Sequence, residues 1–195
     1  MEEHLRGRFV FFATNNINKF DEARMVLAES RIALGMLRVK PSEIQSESLE
    51  EIARASVVEA FEICRLPVAV EDAGLFVEAL SGFPGPYAAY TYKTLGNEGL
   101  LKLMRKVDNR KATFKSVIAY LSSHSESPKC FEGVVTGEIV CDERRKSGSM
   151  GFGFDPIFKP DKSVRTFAQM SVNEKCKLSH RAIAFRKFAE WYKQP

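Results

Sequence analysis

Apolar residues in this chain come in short runs separated by polar turns, and the runs alternate between strand and helix periodicity. Arg8 to Ala13 (RFVFFA) is apolar almost throughout and rich in β-formers, the pattern of a buried strand. Thr14-Asn15-Asn16 interrupts it, and between Lys19 and Glu29 the residues Phe20, Ala23, Val26 and Leu27 recur at helical spacing. Leu37 to Val39 predicts a short second strand ended by Pro41. Ser48 with Glu51 is a capping-box signature that opens a helix over Leu49 to Cys64. Pro67 to Val70 predicts another buried strand, stopped by Glu71-Asp72-Ala73-Gly74, and Ser81 to Tyr87 is loop by its Gly and Pro content. Asn97 is placed to cap a helix reaching about Lys106. Ala112 to Ser122 and Cys130 to Cys141 predict two long strands joined by a polar turn over Ser123 to Pro128. Gly148 to Pro156 is a glycine-rich aromatic loop, Ile157-Phe158 a short strand, and Ser179 to Tyr192 a terminal helix. Alternating strands and helices with a late hairpin predict an α/β domain built on a mixed sheet.

Composition adds only bounds. At 195 residues, with 45% apolar and 28% charged residues, the chain suits one medium domain or two closely packed lobes. The balance of 29 basic and 25 acidic residues gives a formal +4, too weakly basic to imply nucleic acid by itself. Its one charge run, Asp142 to Lys146, suits a polar hairpin tip. Cys64, Cys130, Cys141 and Cys176 form no zinc-ligand spacing. No run approaches the ~20 apolar residues that span a bilayer, and no signal peptide is visible, so the expectation is a cytoplasmic protein with reduced thiols.

Four clusters bear on chemistry. Ser179 is a good N-cap, which puts His180 and Arg181 in the first turn of a helix, with Lys175 five residues before the histidine. Cations are locally unfavourable at that end of a helix, so the cluster points to a multiply charged anion such as phosphate. Thr14, Asn15, Asn16 and Lys19 at a strand-to-helix junction can supply phosphate donors, although the P-loop glycines are missing. Glu71 and Asp72 follow an apolar strand, where a carboxylate can hold Mg²⁺ or take a proton from water. They share one site only if the chain turns there, because neighbouring strand residues face opposite ways. Phe152, Gly153, Phe154 and Asp155 combine aromatic faces with an acid able to read a base edge. Each cluster alone has an ordinary structural explanation. Together they make a Mg-nucleotide site.

At these residues the chain resembles the inosine triphosphate pyrophosphatase (Ham1-like) family, nearly from end to end. The resemblance rests on TNNINKFDE, VEDAGLFVEALSGFPGPYAAY, GFGFDPIF and EKCKLSHRAIAF, in that order. It implies an elongated, two-lobed α/β fold over residues 1–195, with a mixed central sheet flanked by helices and a long active-site cleft. It also implies a homodimer and Mg²⁺-dependent hydrolysis of ITP, dITP and XTP to the monophosphate and pyrophosphate, with no nucleic-acid or membrane partner. Carried over, Thr14, Asn16 and Lys19 belong to the phosphate-binding turn, Glu43 and Asp72 to the metal, and Asp72 to catalysis as proton acceptor. Phe152, Phe154 and Asp155 belong to the base loop, and Lys175, His180 and Arg181 to the C-terminal substrate contacts.

The chain departs from the family pattern at Asn15 (usually Gly), at Ser56 or neighbouring Arg54 (usually a Lys), at Ala73 (usually Ser or Thr) and at Cys176 (usually Asn). The expected mechanism is attack of water on the α-phosphorus, with Lys19, Lys175 and Arg181 stabilising the transition state. Two rivals are a Maf-like nucleotide pyrophosphatase and a non-catalytic nucleotide-binding protein.

Overall fold

The computed structural model describes residues 8–42, 44–145 and 151–194. Its elements, in chain order, are β1 (Arg8–Ala13), α1 (Ile17–Ala28), β2 (Ile32–Leu37), α2 (Leu49–Cys64), β3 (Val68–Val77) and β4 (Pro84–Gly85). There follow α3 (Ala88–Thr94), α4 (Gly96–Leu103), β5 (Lys111–Leu121), β6 (Lys129–Ile139), β7 (Phe158–Pro160), α5 (Val172–Leu178) and α6 (His180–Tyr192). The strands make one seven-stranded mixed sheet in the order β2-β1-β3-β5-β6-β7, with β4 paired to β3. β1 runs parallel to both β2 and β3, whereas β3, β5, β6 and β7 pair antiparallel. No helix among the described residues is long and apolar enough to cross a membrane.

Side-chain alternation along the strands divides the core. Ala69, Ile118 and Tyr120 point to the face covered by α1 and α6, where they meet Val26, Leu27, Phe185 and Phe188. Val68, Val70, Val117 and Ala119 point the other way, against Ala53, Val57 and Ala60 of α2. A third cluster, with Leu75, Leu100, Met104, Ile139 and Phe158, fills the far end of the sheet.

Three local expectations change. β3 does not end at Glu71-Asp72-Ala73-Gly74; it runs on to Val77, because β5 pairs with it from Val68↔Leu121 to Val77↔Ala112. Gly74 marks the close approach of β4, since a Cβ there would come 2.5 Å from the Gly85 carbonyl oxygen. The second strand is Ile32–Leu37 rather than Leu37 to Val39, drawn into place by its in-register parallel pairing with β1. Asn97 caps nothing: it lies buried inside α4, and α3 precedes it in a stretch where no helix was expected. Two helices match closely. Ser48 caps α2 by accepting from the Glu51 N–H, and Ser179 caps α6 by accepting from the Ala182 N–H.

α6 lies directly on β6 at Gly133, where a Cβ would come within 2.0 Å of the His180 carbonyl oxygen and 2.6 Å of the Ala184 nitrogen. That contact seats the first turn of α6, and therefore His180 and Arg181, against the sheet. Gly133→Val is expected to destabilise the protein by about 3 kcal/mol, the upper end of overpacking costs, as read from urea unfolding.

Candidate active site

The site is built on the two faces of β3. After β1 the chain turns sharply. Thr14 Oγ1 accepts from the Asn16 N–H at 3.1 Å, and Asn16 Oδ1 caps α1 by accepting from the N–H groups of Asn18 and Lys19 at 3.0 and 3.2 Å. This turn, the segment Val39-Lys40-Pro41, the Ile52, Ala53 and Ser56 face of α2, and Asp72 enclose a cavity of about 570 Å³. A second cavity of about 730 Å³ lies beside it, lined by Phe83, Tyr87, Tyr90 and Leu95 among others. Asp72, Ile52 and Ala89 line both. Both volumes suit a nucleotide-sized ligand.

Glu71 points to the opposite face, and its side chain has no solvent exposure. Arg181 reaches Glu71 Oε1 through Nε and Nη2 at 3.1 Å, and Ser116 Oγ donates to the same oxygen at 2.6 Å. Lys19 Nζ lies 2.8 Å from Glu71 Oε2. Arg181 Nη1 also donates to Glu22 Oε2 at 2.6 Å. Lys175 Nζ sits 2.7 Å from Glu22 Oε1 and 2.6 Å from Asp155 Oδ2, which also accepts from the Phe152 N–H at 3.0 Å. Three cations and three carboxylates thus form one continuous chain, Lys19–Glu71–Arg181–Glu22–Lys175–Asp155. The half-buried Phe152 ring lies against its cations, 4.7 Å from Lys175 Nζ and 5.5 Å from Arg181 Cζ.

Burial and mutual attraction oppose each other throughout this chain of charges. Burial alone would raise Glu22, but Lys175 and Arg181 hold it down at about 2 against an ordinary 4.5. Glu71 is likewise held well below the carboxylate range, because Arg181 and Lys19 outweigh its burial. Burial pushes Asp155 up despite Lys175, with Glu22 adding repulsion. Lys175 is raised, since Asp155 and Glu22 overcome the burial that would discharge it. His180 is neutral: burial, then Arg181 and Lys175, lowers it well below 6.5. Its ring stacks on Phe114 at 4.6 Å with a 7° tilt, and its Nδ1 is a buried atom with no hydrogen-bond partner among the described residues.

The expected site residues therefore fall into groups. Thr14, Asn15, Asn16, Lys19 and Asp72 line the 570 Å³ cavity. Lys175, His180 and Arg181 are 4%, 2% and 2% exposed, and they line neither cavity. The anions that the first turn of α6 meets are the protein's own carboxylates. The two groups touch through the Lys19–Glu71–Arg181 link. Phe154 is buried in the far core with its ring edge-on to Tyr92, Asp155 is buried against Lys175, and Gly153 takes a positive φ of 59° in the intervening turn. Ala73 lies on β3 away from both cavities. Glu43 lies outside the described residues.

The departures also have places. Ser56 lines the cavity, whereas Arg54 pairs with Glu50 and donates to the Pro128 carbonyl, outside it. Cys176 is buried, with Sγ 3.8 Å from the Glu22 carbonyl oxygen. Sequence reasoning missed Glu22, Ser116 and the helix α5 that carries Lys175. Glu22 was findable, as an acid on the same helical stripe as Lys19, Ala23 and Val26. So was the capping box of Ser171 and Glu174 that opens α5.

The pattern of the Ham1 family matches residues 10–191. The chain belongs to this family. It is 49% identical to the dITP/XTP pyrophosphatase of Methanopyrus kandleri over 94% of this chain and 96% of that protein. It is 44% identical to the dITP/XTP pyrophosphatase of Hyperthermus butylicus over 97% of each. Among solved structures, a HAM1 protein from Coxiella burnetii superposes with a TM-score of 0.80 at 27% identity, over 94% of this chain and 98% of the other. The Ham1 protein of Staphylococcus aureus gives 0.79 at 28% identity, over 94% and 97%.

The network of this Ham1 chain makes a pH prediction. Glu22 binds its proton less readily folded than unfolded, so the stability it contributes is complete above about pH 4.5 and is lost as pH falls toward 2. Glu71 acts in the same direction, and Asp155, being raised, opposes them. Glu22→Gln is expected to cost about 3–5 kcal/mol at pH 7, because it leaves Arg181 and Lys175 short of a buried counter-charge. The cost should shrink by pH 2.5, as urea unfolding at the two pH values would show.

Proposed function

We infer that this Ham1 protein is a nucleoside triphosphate pyrophosphatase that hydrolyses dITP, XTP and ITP to the monophosphate and pyrophosphate. The observation that carries this is 49% identity, along almost its whole length, to a protein named dITP/XTP pyrophosphatase. The cavity supports it: an amide-rich helix start, a hydroxyl and lysines lie beside Glu71, whose side chain is buried, and the Asp72 carboxylate, which is donor chemistry for phosphates beside an acceptor for a proton.

In the reaction, water attacks the α-phosphorus, the bond from that phosphorus to the bridging oxygen breaks, and pyrophosphate leaves with the bonding electrons. Asp72 orients the water and takes its proton. Glu71 cannot serve, because its carboxylate is closed in by Arg181, Ser116 and Lys19. Thr14, Asn15 and the N-terminus of α1 hold the phosphates in line. Among the described residues no group of three or more His, Cys, Asp or Glu side chains that could hold a metal is gathered. Mg²⁺ entering on the phosphates does fit, since it needs only one or two carboxylates. Asp72, with Glu43 as the second acid, would hold it, and it would supply charge neutralisation on the phosphate oxygens. The base belongs beside the half-buried Phe152 ring, which offers an aromatic face for stacking.

Cytoplasmic residence and a homodimer complete the proposal. All four cysteines are free thiols. Tyr87, Tyr90 and Leu95 leave an exposed apolar face on and beside α3 that suits a second copy. Sedimentation should show a dimer, and Tyr90→Glu should shift it toward monomer.

The activity is tested with ITP, dITP, XTP, ATP, GTP, dTTP and UTP in the presence of Mg²⁺, measuring pyrophosphate and orthophosphate separately. The expected outcome is pyrophosphate from the first three. A preference for dTTP or UTP would move the chain to the Maf-like reading, and no turnover would leave a binding protein. Asp72→Asn should lower kcat at least about a hundredfold, within the range for loss of a general base, while nucleotide binding persists.

A further inference from the structure

A bound triphosphate brings several negative charges into the cavity, and the buried network has no net charge to offer in return. Lys19, Arg181 and Lys175 are matched one for one by Glu71, Glu22 and Asp155. Two of those cations are also sealed from the cavity. Lys19 and Lys40 are the two lysines that line the 570 Å³ cavity, and Lys19 is committed to Glu71 at 2.8 Å. Lys40 is exposed and makes no ion pair among the described residues. Among the described residues its charge is uncompensated.

We propose that Lys40 is the cation that binds the phosphate end of the substrate, an assignment resting on the reading of this cavity as the triphosphate site. Its placement is built. The segment that carries it is tied at both ends: the Thr14 N–H donates to the Leu37 carbonyl at 3.0 Å, and Ser42 donates to the Glu59 carboxylate through its N–H at 2.8 Å and its hydroxyl at 3.1 Å. Pro41 restricts Lys40 to extended backbone. The strap therefore spans from the phosphate-binding turn to α2, with Val39, Lys40 and Pro41 all facing the cavity.

Among the described residues no other unpaired cation lines this cavity. Arg54 is held outside by Glu50 and the Pro128 carbonyl, and Ser56, inside, is neutral. A lysine suits the task, since its compact ammonium on a flexible stem can follow a phosphate as the chemistry proceeds.

The test uses Lys40→Met, Lys40→Arg and, as a control away from the cavity, Arg54→Met. In dITP hydrolysis, Lys40→Met should raise KM about tenfold, the effect of one lost charge-assisted contact, with kcat within about twofold, the signature of lost ground-state binding. Lys40→Arg should restore most of the loss and Arg54→Met should behave as wild type. Binding of inorganic pyrophosphate, measured by calorimetry, should weaken by a similar factor in Lys40→Met, while inhibition by dIMP stays unchanged. Wild-type KM and pyrophosphate affinity in Lys40→Met would overturn the proposal. Equal weakening of dIMP and pyrophosphate would also overturn it, because the strap would then be supporting the whole site. If the wild-type chain hydrolysed no triphosphate yet bound pyrophosphate in a Lys40-dependent way, the activity would be wrong and the phosphate contact would stand.

Discussion

Electroneutrality of the buried charges governs this structure. Six ionised groups from α1, β3, α5, α6 and the loop before β7 meet in one chain of contacts, and each would be costly to bury alone. Because every cation has a carboxylate on either side or at one end, the elements that carry them cannot drift apart without exposing a charge to an apolar interior. The network is thus the joint between the terminal helices and the sheet. It also explains how a histidine and an arginine sit comfortably in the first turn of a helix, where the dipole disfavours positive charge. The histidine is neutral, and the arginine is over-compensated by Glu22 and Glu71.

Strand alternation then separates structure from chemistry within a single dipeptide. Glu71 faces α1 and α6 and holds the network together, while Asp72 faces α2 and lines both cavities. The division of labour needs no turn between them, only a strand that keeps its pleat. Lys19 bridges the two sides, lining the phosphate cavity while paired with the buried carboxylate.

Much of this was legible in the sequence, and what was hidden has physical causes. α2 and α6 were readable because their caps are local: a serine accepts from an N–H three residues on, and the signal sits within four residues. The two long strands of the hairpin were readable from composition. β3 was misread because Glu-Asp-Ala-Gly resembles a turn until a partner strand supplies hydrogen bonds along ten consecutive pairs, and pairing at such a distance leaves no local trace. The cluster of His180, Arg181 and Lys175 stood out in the sequence as cations around a helix start, but its counter-ions come from α1, β3 and the loop before β7, more than a hundred residues away in the case of Arg181 and Glu71. A local reading sees cations at a helix start and infers a ligand. Only the folded chain reveals the carboxylates already waiting there.

The unbroken pairing of β3 with β5 carries a consequence for how this lineage can change length. A one-residue slip of Glu71-Asp72 against β5 would exchange the orientations of the two acids, burying the reactive one and turning the structural one toward the cavity. An indel that causes such a slip is costly, whereas the exposed tip between β5 and β6 carries no such constraint. Changes in chain length are therefore better tolerated at the periphery than around the peptide that joins the two acids.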